Sequence, residues 1–535
     1  MKSLEREVGK YMGIYLNPGK DSFAESLNSE IYVDKTGLLS YTNRVLGTKQ
    51  KCICISRPRR FGKSMAAEML AAYYSYHADS GELFHTLNIS ADPSFEKHLN
   101  QYDVLFLNMQ SFLSRSGEAS KMVSYLEAAV LKDMAAEYPE LFVNPEDHLS
   151  SALEKIYSIH KKGFVIIIDE WDCIFREKKS AKEAQNLYLD FLRDLLKDKV
   201  YVKLAYMTGI LPIKKYGTHS ALNMFDEFSM TNPRQLSDYV GFTETEVAAL
   251  CQHYNMDFDE TRRWYDGYHF RRTGHVYSPK SVVDAMRNES FDSYWTQTET
   301  YEALRVYIDM NFDGLKDAVI CMLGGGRCQI DIGTFQNDMT TFHSKDDALT
   351  LLIHLGYLGY DIESQEVFIP NEEVRAEFAR AIKASGWNAV IDAISASDQL
   401  LADTLDGKCT SVAEKIDQIH QEFTSVLSYN DENSLSCVIS LAYYSARKYY
   451  YVYRETPAGK GFADLIYVPQ KQYTDKPALI IELKWDKDVY TAIQQIKERK
   501  YTDGLRDYSG KVLLVGINYD KKAKKHECHI EHIEV

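Results

Sequence analysis

The sequence has no long hydrophobic run, no C-x-x-C pair, no internal repeat and no low-complexity linker. A membrane-spanning helix needs about 20 apolar residues, so no membrane contact is expected. The first residues, MKSLEREVGKYMG, have no apolar core for export. The 9 cysteines are scattered, which predicts reduced thiols and a cytoplasmic protein. The 45% hydrophobic and 26% charged content is ordinary for a globular protein.

Positive charge is scarce as well, since 62 lysines and arginines stand against 77 aspartates and glutamates, for a net charge of −15. This charge balance excludes electrostatic binding of nucleic acid by the protein surface as a whole, so any contact with nucleic acid needs a local basic patch. A chain of 535 residues is long enough for roughly two to four domains, each with its own hydrophobic core.

Short apolar runs alternate with helical patterns in the first half of the chain. The predicted strands cover residues 52–55, 104–108, 164–169 and 203–208, and the predicted helices between them cover 64–76, 120–138 and 181–197. Near-continuous apolar strands separated by helices predict a parallel sheet with both faces covered. We therefore expect an α/β fold: a parallel-sheet domain in residues 1–235, a mostly helical middle region in 236–395, and a second α/β domain in 396–535.

The loop after the first strand lacks the first glycine of the G-x-x-x-x-G-K-[ST] pattern, because Arg57 occupies that position. In this pattern, backbone N–H groups and a helix N-terminus surround phosphates, lysine reaches the β/γ oxygens, and serine holds Mg²⁺. Gly62, Lys63 and Ser64 supply the second half of the pattern at the start of a helix. The context predicts an ATP-binding loop formed by Arg57, Pro58, Arg59, Arg60, Phe61, Gly62, Lys63 and Ser64.

The third predicted strand ends in two carboxylates within GFVIIIDEWD, residues 163–172. A buried strand has no structural reason to end in Asp-Glu, because unpaired buried charges are costly. A nucleotide site would explain both carboxylates. Asp169 would be a second Mg²⁺ ligand in addition to Ser64, and Glu170 would be the base that polarises water. The alternative is a helix cap formed by Asp169 or Asp172.

Polar residues around this site have more than one interpretation. Thr208 ends the fourth predicted strand, where its hydroxyl would sense the γ-phosphate or simply cap the strand. Arg57, Arg59 and Arg60 would neutralise charge in the transition state, pair with acidic neighbours, or contact nucleic acid. The sequence does not decide among these roles.

A second group of catalytic residue types lies in ALIIELKW, residues 478–485. Strand alternation places Glu482 and Lys484 on one face of an otherwise apolar strand. The preceding strand carries Asp464. Two carboxylates at this spacing bind one or two Mg²⁺ ions that activate water for phosphodiester cleavage, while Lys484 orients the water or neutralises developing charge. The alternative is a salt bridge between Asp464 and Lys484 on an ordinary sheet.

Eight segments in this order resemble the bacterial AAA-ATPase-like family, whose members typically carry a C-terminal nuclease domain of the PD-(D/E)XK superfamily. The segments are IYVDKTGLL (31–39), RPRRFGKS (57–64), IIIDEWD (166–172), MTGI (207–210), GFTETEV (241–247), WYDGYHF (264–270), VYSPKSV (276–282) and LLIHLGYLGY (351–360). The resemblance implies a P-loop NTPase sheet followed by a restriction-endonuclease-like domain. It also implies that the arginine-rich loop is native to the family, and that Glu455 and Gln495 join the nuclease site.

These observations predict an ATP-binding and ATP-hydrolysing protein of the bacterial cytoplasm that is coupled to a Mg²⁺-dependent nuclease acting on DNA or RNA. A homo-oligomer is compatible with the sequence. One alternative is a nucleotide-gated binding or signalling protein whose nuclease-like domain recognises nucleic acid without cutting it. Another is a protein-remodelling ATPase. The tail HECHIEH, residues 526–532, has metal-ligand residue types, but a solvated terminal strand is the preferred interpretation.

Overall fold

The computed structural model divides the chain into two compact units, which are described separately below. It describes residues 13–139, 148–213, 222–295, 301–310, 312–336, 339–423, 432–458, 461–499, 501, 508 and 510–534. The first unit comprises Met1–Trp295, Ile330–Gln365 and Pro370–Glu373, and the second comprises Thr296–Gln329, Glu366–Ile369 and Val374–Val535. The division into three domains stays a prediction.

Helices and strands are numbered separately in chain order. The helices are α1 Asp21–Leu27, α2 Gly37–Val45, α3 Lys63–Tyr74, α4 Gly81–Phe84, α5 Phe95–His98, α6 Met109–Ser116, α7 Met122–Glu137, α8 Leu149–His160, α9 Cys173–Glu177, α10 Lys182–Leu196, α11 Glu244–Tyr254, α12 Phe258–Tyr265, α13 Pro279–Asn288, α14 Tyr301–Ile308, α15 Leu315–Leu323, α16 Lys345–Leu355, α17 Glu372–Ala384, α18 Asn388–Leu405, α19 Cys409–Phe423, α20 Glu432–Ala442 and α21 Val489–Glu498. The strands are β1 Cys52–Ser56, β2 Asp103–Asn108, β3 Phe164–Asp169, β4 Val202–Gly209, β5 Asp226–Phe228, β6 Phe242–Thr243, β7 Tyr268–Phe270, β8 Gly274–Tyr277, β9 Cys328–Gln329, β10 Gly359–Asp361, β11 Glu366–Phe368, β12 Tyr450–Ala458, β13 Gly461–Pro469, β14 Ala478–Trp485, β15 Lys511–Asp520 and β16 Lys525–Glu534.

The first unit is built on a five-stranded sheet with the order β2-β3-β4-β1-β5, in which all neighbouring strands are parallel. Strands β1 and β3 are buried along their whole length, as expected for a parallel sheet covered on both faces. This confirms the predicted fold class. Asn108 pairs with Asp169, and Ser56 pairs with Gly209. The carboxyl ends of these strands therefore form one polar edge.

A smaller antiparallel sheet, with the order β6-β8-β7, follows the large one. Helices α11 and α13 pack on it through a cluster that includes Val247, Tyr265, Tyr277 and Val282. This part of the chain is mostly helical, in agreement with the sequence pattern.

The second unit contains a five-stranded sheet with the order β12-β13-β14-β15-β16. Its neighbours are antiparallel except β14 and β15, which are parallel and joined through α21. Ile480 of β14 and Leu514 of β15 pack with Ile493 and Ile496 of α21. The helix is therefore held against the face of β14 that also carries Glu482 and Lys484.

The last strand, β16, pairs with β15 along its length and is not simply solvated. His526 is 5% exposed, its Nδ1 lies 2.7 Å from Oδ1 of Asp417, and its Nε2 lies 3.3 Å from Nδ1 of His420. Both partners belong to α19, which covers this end of the strand. The prediction of a solvated strand is therefore wrong at His526. The described residues contain no group of three or more His, Cys, Asp or Glu side chains arranged to hold a metal ion.

Two cysteines differ from the prediction of reduced thiols. Cys321 of α15 and Cys437 of α20 form a disulfide with their Cα atoms 5.0 Å apart, whereas the other seven cysteines are free. Because the two positions are 116 residues apart in sequence, spacing alone could not identify the pair. Within the described ranges, no helix is both long enough and apolar enough to cross a bilayer.

Candidate functional site

The loop between β1 and α3 turns through two left-handed residues. Arg60 has a φ of 67° and Gly62 a φ of 88°, a conformation that is easy for glycine and uncommon for arginine. A Cβ on Gly62 would meet nothing within 4 Å, so the backbone conformation, and not lack of space, explains the glycine. Helix α3 begins at Lys63, and its unpaired N–H groups therefore lie at the end of this loop, where an anion is stabilised.

Lys63 lies against the loop. Its side chain is 5% exposed, and its Nζ donates to the carbonyl oxygen of Pro58 at 2.8 Å. Burial lowers the pKa of Lys63, and the charges of Glu170 and Asp169 oppose that shift. The ammonium group thus lies close to both the loop and the acidic end of β3, where a triphosphate bound at α3 would need a cation.

Asp169 is the centre of the polar edge and is 1% exposed. Its carboxylate accepts hydrogen bonds from Ser64 Oγ at 2.8 Å, from Asn108 Nδ2 at 3.4 Å and from the hydroxyl of Thr208. The ends of three strands and the start of α3 therefore meet at one carboxylate. A serine hydroxyl beside a carboxylate is a donor set that suits Mg²⁺, so the residues predicted as metal ligands fit that ion.

Glu170 follows Asp169 with a φ of 56°, which is a strained conformation for a residue with a long side chain. Its Oε2 forms an ion pair with Arg176, whose side chain is 7% exposed. Burial raises the pKa of Glu170, while the charges of Arg176 and Lys63 lower it. The turn therefore directs the carboxylate toward two cations, which favour its ionised form.

Arg176 and Asp172 were not predicted as functional residues. Arg176 Nε lies 3.0 Å from Asp172 Oδ2, which also accepts from the backbone N–H groups of Ile210 at 3.1 Å and Leu211 at 2.8 Å. Asp172 thus connects Arg176 to the backbone after β4. The separation of four residues, one helical turn, is the sequence signal that could have identified this pair.

Arg57, at the position of the missing glycine, is fully buried. Its Nη1 donates to the carbonyl oxygens of Ser56 at 2.9 Å and Phe228 at 3.0 Å, and its guanidinium carbon lies 5.0 Å from the centre of the Phe270 ring. Burial lowers the pKa of Arg57 to about 9. Arg57 thus joins the end of β1 to β5 through backbone carbonyl oxygens. Its predicted roles toward phosphate, acidic neighbours and nucleic acid stay predictions.

The remaining loop side chains have different environments. Pro58 and Phe61 are buried, and the Phe61 ring centre lies 5.3 Å from that of Tyr268. Arg60 Nη1 donates to the carbonyl oxygen of Tyr294 at 3.5 Å, whereas Arg59 is exposed. Buried side chains therefore anchor the loop, and its predicted contact with phosphate stays a prediction that involves mainly backbone N–H groups.

The second candidate site lies on β13 and β14. Asp464 of β13 accepts, through Oδ2, a hydrogen bond from the backbone N–H of Leu483 at 2.7 Å. Leu483 lies between Glu482 and Lys484 on β14, so the Asp464 carboxylate is held beside the Glu-x-Lys sequence. The structure thus brings together the three residues that the sequence predicted to form the nuclease site.

Glu482 is 1% exposed and receives hydrogen bonds on one carboxylate oxygen. Oε1 accepts from Lys484 Nζ at 2.7 Å and from Gln495 Nε2. Gln495 Nε2 also lies 3.0 Å from the hydroxyl of Tyr501. The ion pair on this strand therefore joins Lys484 to its own neighbour Glu482, and α21 supplies the amide that fixes the carboxylate.

The other oxygen, Glu482 Oε2, is buried without a hydrogen-bond partner in the part of the chain that the structure describes. Burial, followed by the charge of Asp464, raises the pKa of Glu482 to about 7. A buried carboxylate with an unused oxygen and a second carboxylate nearby is stabilised by a cation, because the cation offsets both desolvation and repulsion. Asp464 and Glu482 therefore fit a Mg²⁺ ion.

One predicted nuclease residue cannot be placed. Glu455 belongs to β12, but its side chain lies outside the described residues. The sequence did not predict β12 or the three-residue strand β5, Asp226–Phe228, since neither has the long apolar run of the central strands.

Comparisons with known proteins identify similar sequences and solved structures. An uncharacterized protein in the vnfD 5′ region of Azotobacter chroococcum is 28% identical over 289 residues, which are 50% of this chain and 51% of the relative. The chain thus spans about half the length of that relative. The ORC2 protein of Aeropyrum pernix, solved as ADPNP-ADP complexes, matches with 10% identity and a TM-score of 0.30 over 67% of this chain and 97% of its own. Cdc6p of Pyrobaculum aerophilum matches with 10% identity and a TM-score of 0.25 over 68% and 98%. These TM-scores are too low to support a functional conclusion.

Family models match both candidate sites. Residues 19–218 match the predicted AAA-ATPase model, and this segment includes the loop, Asp169 and Thr208. Residues 430–528 match the PD-(D/E)XK nuclease superfamily model, and this segment includes Asp464, Glu482 and Lys484. The chain therefore combines a segment that matches the AAA-ATPase model with a C-terminal segment that matches the PD-(D/E)XK nuclease superfamily model.

Proposed function

We propose that this chain hydrolyses ATP at the polar edge of the first sheet and cleaves nucleic acid, with Mg²⁺, at the second sheet. The two sites belong to different compact units, so each can be inactivated without altering the other. The proposal includes a cytoplasmic location in a bacterium. It also includes the three-domain division with boundaries near residues 235 and 395, and a homo-oligomer is compatible with it.

In the ATP site, the N–H groups at the start of α3 and the ammonium group of Lys63 bind the phosphates. Ser64 and Asp169 hold the Mg²⁺ that accompanies ATP, and Asn108 and Thr208 fix the Asp169 carboxylate by hydrogen bonds. Glu170, whose pKa is raised by burial and lowered by the charges of Arg176 and Lys63, accepts a proton from the attacking water. Arg59, which is exposed, contacts the γ-phosphate in this proposal.

In the nuclease site, Asp464 and Glu482 hold Mg²⁺, and Gln495 and Lys484 orient the Glu482 carboxylate. When bound, Mg²⁺ supplies an activated water and charge stabilisation for phosphodiester hydrolysis. Lys484 places a positive charge next to the developing negative charge on phosphate. The predicted participation of Glu455 is part of this proposal.

One observation supports the nuclease assignment most strongly: the buried Glu482 has one oxygen fixed by Lys484 and Gln495 and the other without a partner. A residue that served only the fold would gain nothing from this arrangement. Its burial is costly, and no hydrogen bond from the described residues compensates the second oxygen. A metal ion would satisfy that oxygen.

Cleavage assays on single- and double-stranded DNA and RNA test the proposal. Wild type should cut at least one substrate with Mg²⁺ and should be inactive with EDTA. Asp464→Ala should abolish cleavage, while Asp475→Ala, which removes an exposed carboxylate from the loop before β14, should not. Binding without cleavage of every substrate would contradict the nuclease and support the nucleotide-gated binding protein. The absence of both binding and cleavage, with intact ATP hydrolysis, would support a protein-remodelling ATPase.

The same assays include ATP, a non-hydrolysable analogue, or no nucleotide. We expect the cleavage rate to depend on the nucleotide, because an ATPase and a nuclease in one chain are useful together if ATP has different affinities for two arrangements of that chain. Equal rates in all three conditions would contradict the coupling and leave the nuclease assignment intact.

A further inference from the structure

A cleft of about 640 Å³ lies on the first unit, away from the residues assigned to ATP. It is formed by α2, by the segment around α5, by the segment before β6 and by the turn between β7 and β8. Its lining includes Arg44, Lys97, Arg272, Asp92, Gln235 and Tyr239. No function proposed above uses any of them.

The cleft is distant from the phosphate-binding loop. Asn43, in its wall, donates through Nδ2 to the hydroxyl of Tyr73 at 3.1 Å. Tyr73 and Lys63 lie on the same helix, α3. Ten residues at 1.5 Å per residue place Tyr73 about 15 Å along the helix from the end that faces the loop. The cleft and the ATP site are therefore separate places on one unit.

The cleft is positively charged on a chain whose net charge is −15. Arg44, Lys97 and Arg272 are exposed, come from three separate segments, and form no ion pair within the described part of the chain. The Arg44 guanidinium carbon lies 5.1 Å from the centre of the Tyr41 ring. Cations that line one cleft attract an anion that contacts more than one of them.

The single carboxylate in the lining, Asp92, offsets only one of these three cations. Asp92 Oδ1 accepts from the Ser94 N–H at 2.8 Å and from Ser94 Oγ at 2.6 Å. Hydrogen bonds from Ser40 and Ser94 lower the pKa of Asp92. The carboxylate is thus engaged by the two serines, and the cleft presents three cations against one anion.

We infer that this cleft binds the phosphodiester backbone of a single nucleic-acid strand. Pockets for small ligands enclose their ligand, whereas three exposed cations line this cleft. Spaced cations with aromatic and amide side chains between them match a backbone that passes through a groove. Tyr239 and Gln235 supply such side chains. The inference rests on the proposed nuclease function, since it gives the ATPase unit a contact with the nuclease substrate.

Fluorescence anisotropy with a short labelled single-stranded oligonucleotide, in EDTA so that the probe stays intact, tests this inference. The test variant is Arg44→Ala/Lys97→Ala/Arg272→Ala. The control is Arg115→Ala/Lys121→Ala/Arg193→Ala, which removes three exposed cations that do not line the cleft. Both variants should bind ATP like wild type, which shows that the first unit is folded.

We expect the cleft variant to bind the oligonucleotide at least tenfold more weakly than the control, which should match wild type. The slope of log affinity against log salt concentration should fall by about 2, since each lost single-strand phosphate contact contributes about 0.7. Inorganic phosphate as a competitor distinguishes a site for a small anion: displacement of the oligonucleotide at low millimolar phosphate would contradict a backbone groove.

Equal affinities of the cleft variant and the control would overturn the inference. If wild type cleaves nucleic acid but the cleft variant binds the probe normally, only the cleft assignment fails. If wild type neither binds nor cleaves any nucleic acid, the proposed nuclease function fails, and the inference fails with it.

Discussion

Replacing Glu482 with glutamine should make the second sheet more stable at alkaline pH. Glutamine has nearly the same shape and keeps an oxygen that can accept the hydrogen bonds of Lys484 and Gln495, but it cannot ionise. In the native protein, burial and the charge of Asp464 raise the pKa of Glu482 from 4.5 to about 7. The ionised form is therefore disfavoured in the folded sheet.

The size of the effect follows from this pKa. Below about pH 4.5 the Glu482 carboxyl is protonated in both the folded and the unfolded chain, and it contributes no pH dependence. Between that pH and about pH 7 it ionises only in the unfolded chain, so the unfolding free energy falls as pH rises. Above about pH 7 the loss is complete and amounts to about 3 kcal/mol, at about 1.36 kcal/mol per pH unit.

Hydrogen exchange of peptides that cover β14 measures the opening free energy of this sheet in EDTA. Between pH 5 and pH 8.5, the opening free energy of Glu482→Gln should rise by about 3 kcal/mol relative to that of wild type. Mg²⁺ should remove most of this difference by stabilising the ionised wild type. Glu527→Gln removes an exposed carboxyl from β16 and controls for the change in net charge. A constant difference across this pH range, or no response of wild type to Mg²⁺, would refute the reasoning.

Three further predictions concern the first unit. Lys63→Ala should abolish ATP binding in calorimetry, and Glu170→Gln should keep binding but block hydrolysis; unchanged affinity of the Lys63 variant would contradict the ATP site. Because the Arg176 cation orients Glu170, Arg176→Ala should lower kcat for ATP hydrolysis at least tenfold with little change in KM for ATP. Arg176→Lys should restore part of the lost kcat. A tenfold rise in KM would indicate a role in ATP binding instead. Gly209→Ala should lower the unfolding free energy by about 1–3 kcal/mol in urea titrations, because the alanine Cβ would lie 2.5 Å from the Trp171 ring. An unfolding free energy equal to that of wild type would contradict this close contact between Gly209 and Trp171.

The sequence could predict the central strands and the residues at their ends. Strand β3 has the predicted bounds, and β1 and β4 extend only one residue past theirs at one or both ends, because long apolar runs leave few alternatives. Asp169, Glu482 and Lys484 were identifiable since a charged residue on such a strand needs a functional reason. Asp169 was expected near Ser64 and Thr208 because the carboxyl ends of parallel strands lie at one edge of a sheet. Glu482 and Lys484 were expected near Asp464 because alternate residues of a strand share one face.

Contacts between distant segments could not be predicted in the same way. The sequence left three roles open for Arg57, and it could not show that the side chain donates to the carbonyl oxygen of Phe228, 171 residues away. The ion pair of Glu170 with Arg176 depends on the left-handed conformation of Glu170, which the residue types in this segment do not predict. The disulfide between Cys321 and Cys437 and the burial of His526 likewise depend on how helices pack, and a single sequence does not encode that packing in a local pattern.

The comparison of Lys484→Ala with Lys487→Ala tests the central claim most directly. Both variants remove one lysine from the same end of β14, but Lys484 is buried against Glu482 and Lys487 is exposed. The measurement is the Mg²⁺-dependent cleavage rate of the best nucleic-acid substrate, with ATP present. We predict a loss of about a hundredfold or more for Lys484→Ala and a wild-type rate for Lys487→Ala, with ATP hydrolysis intact in both. Cleavage by Lys484→Ala at the wild-type rate would contradict the assignment of a nuclease site on this strand.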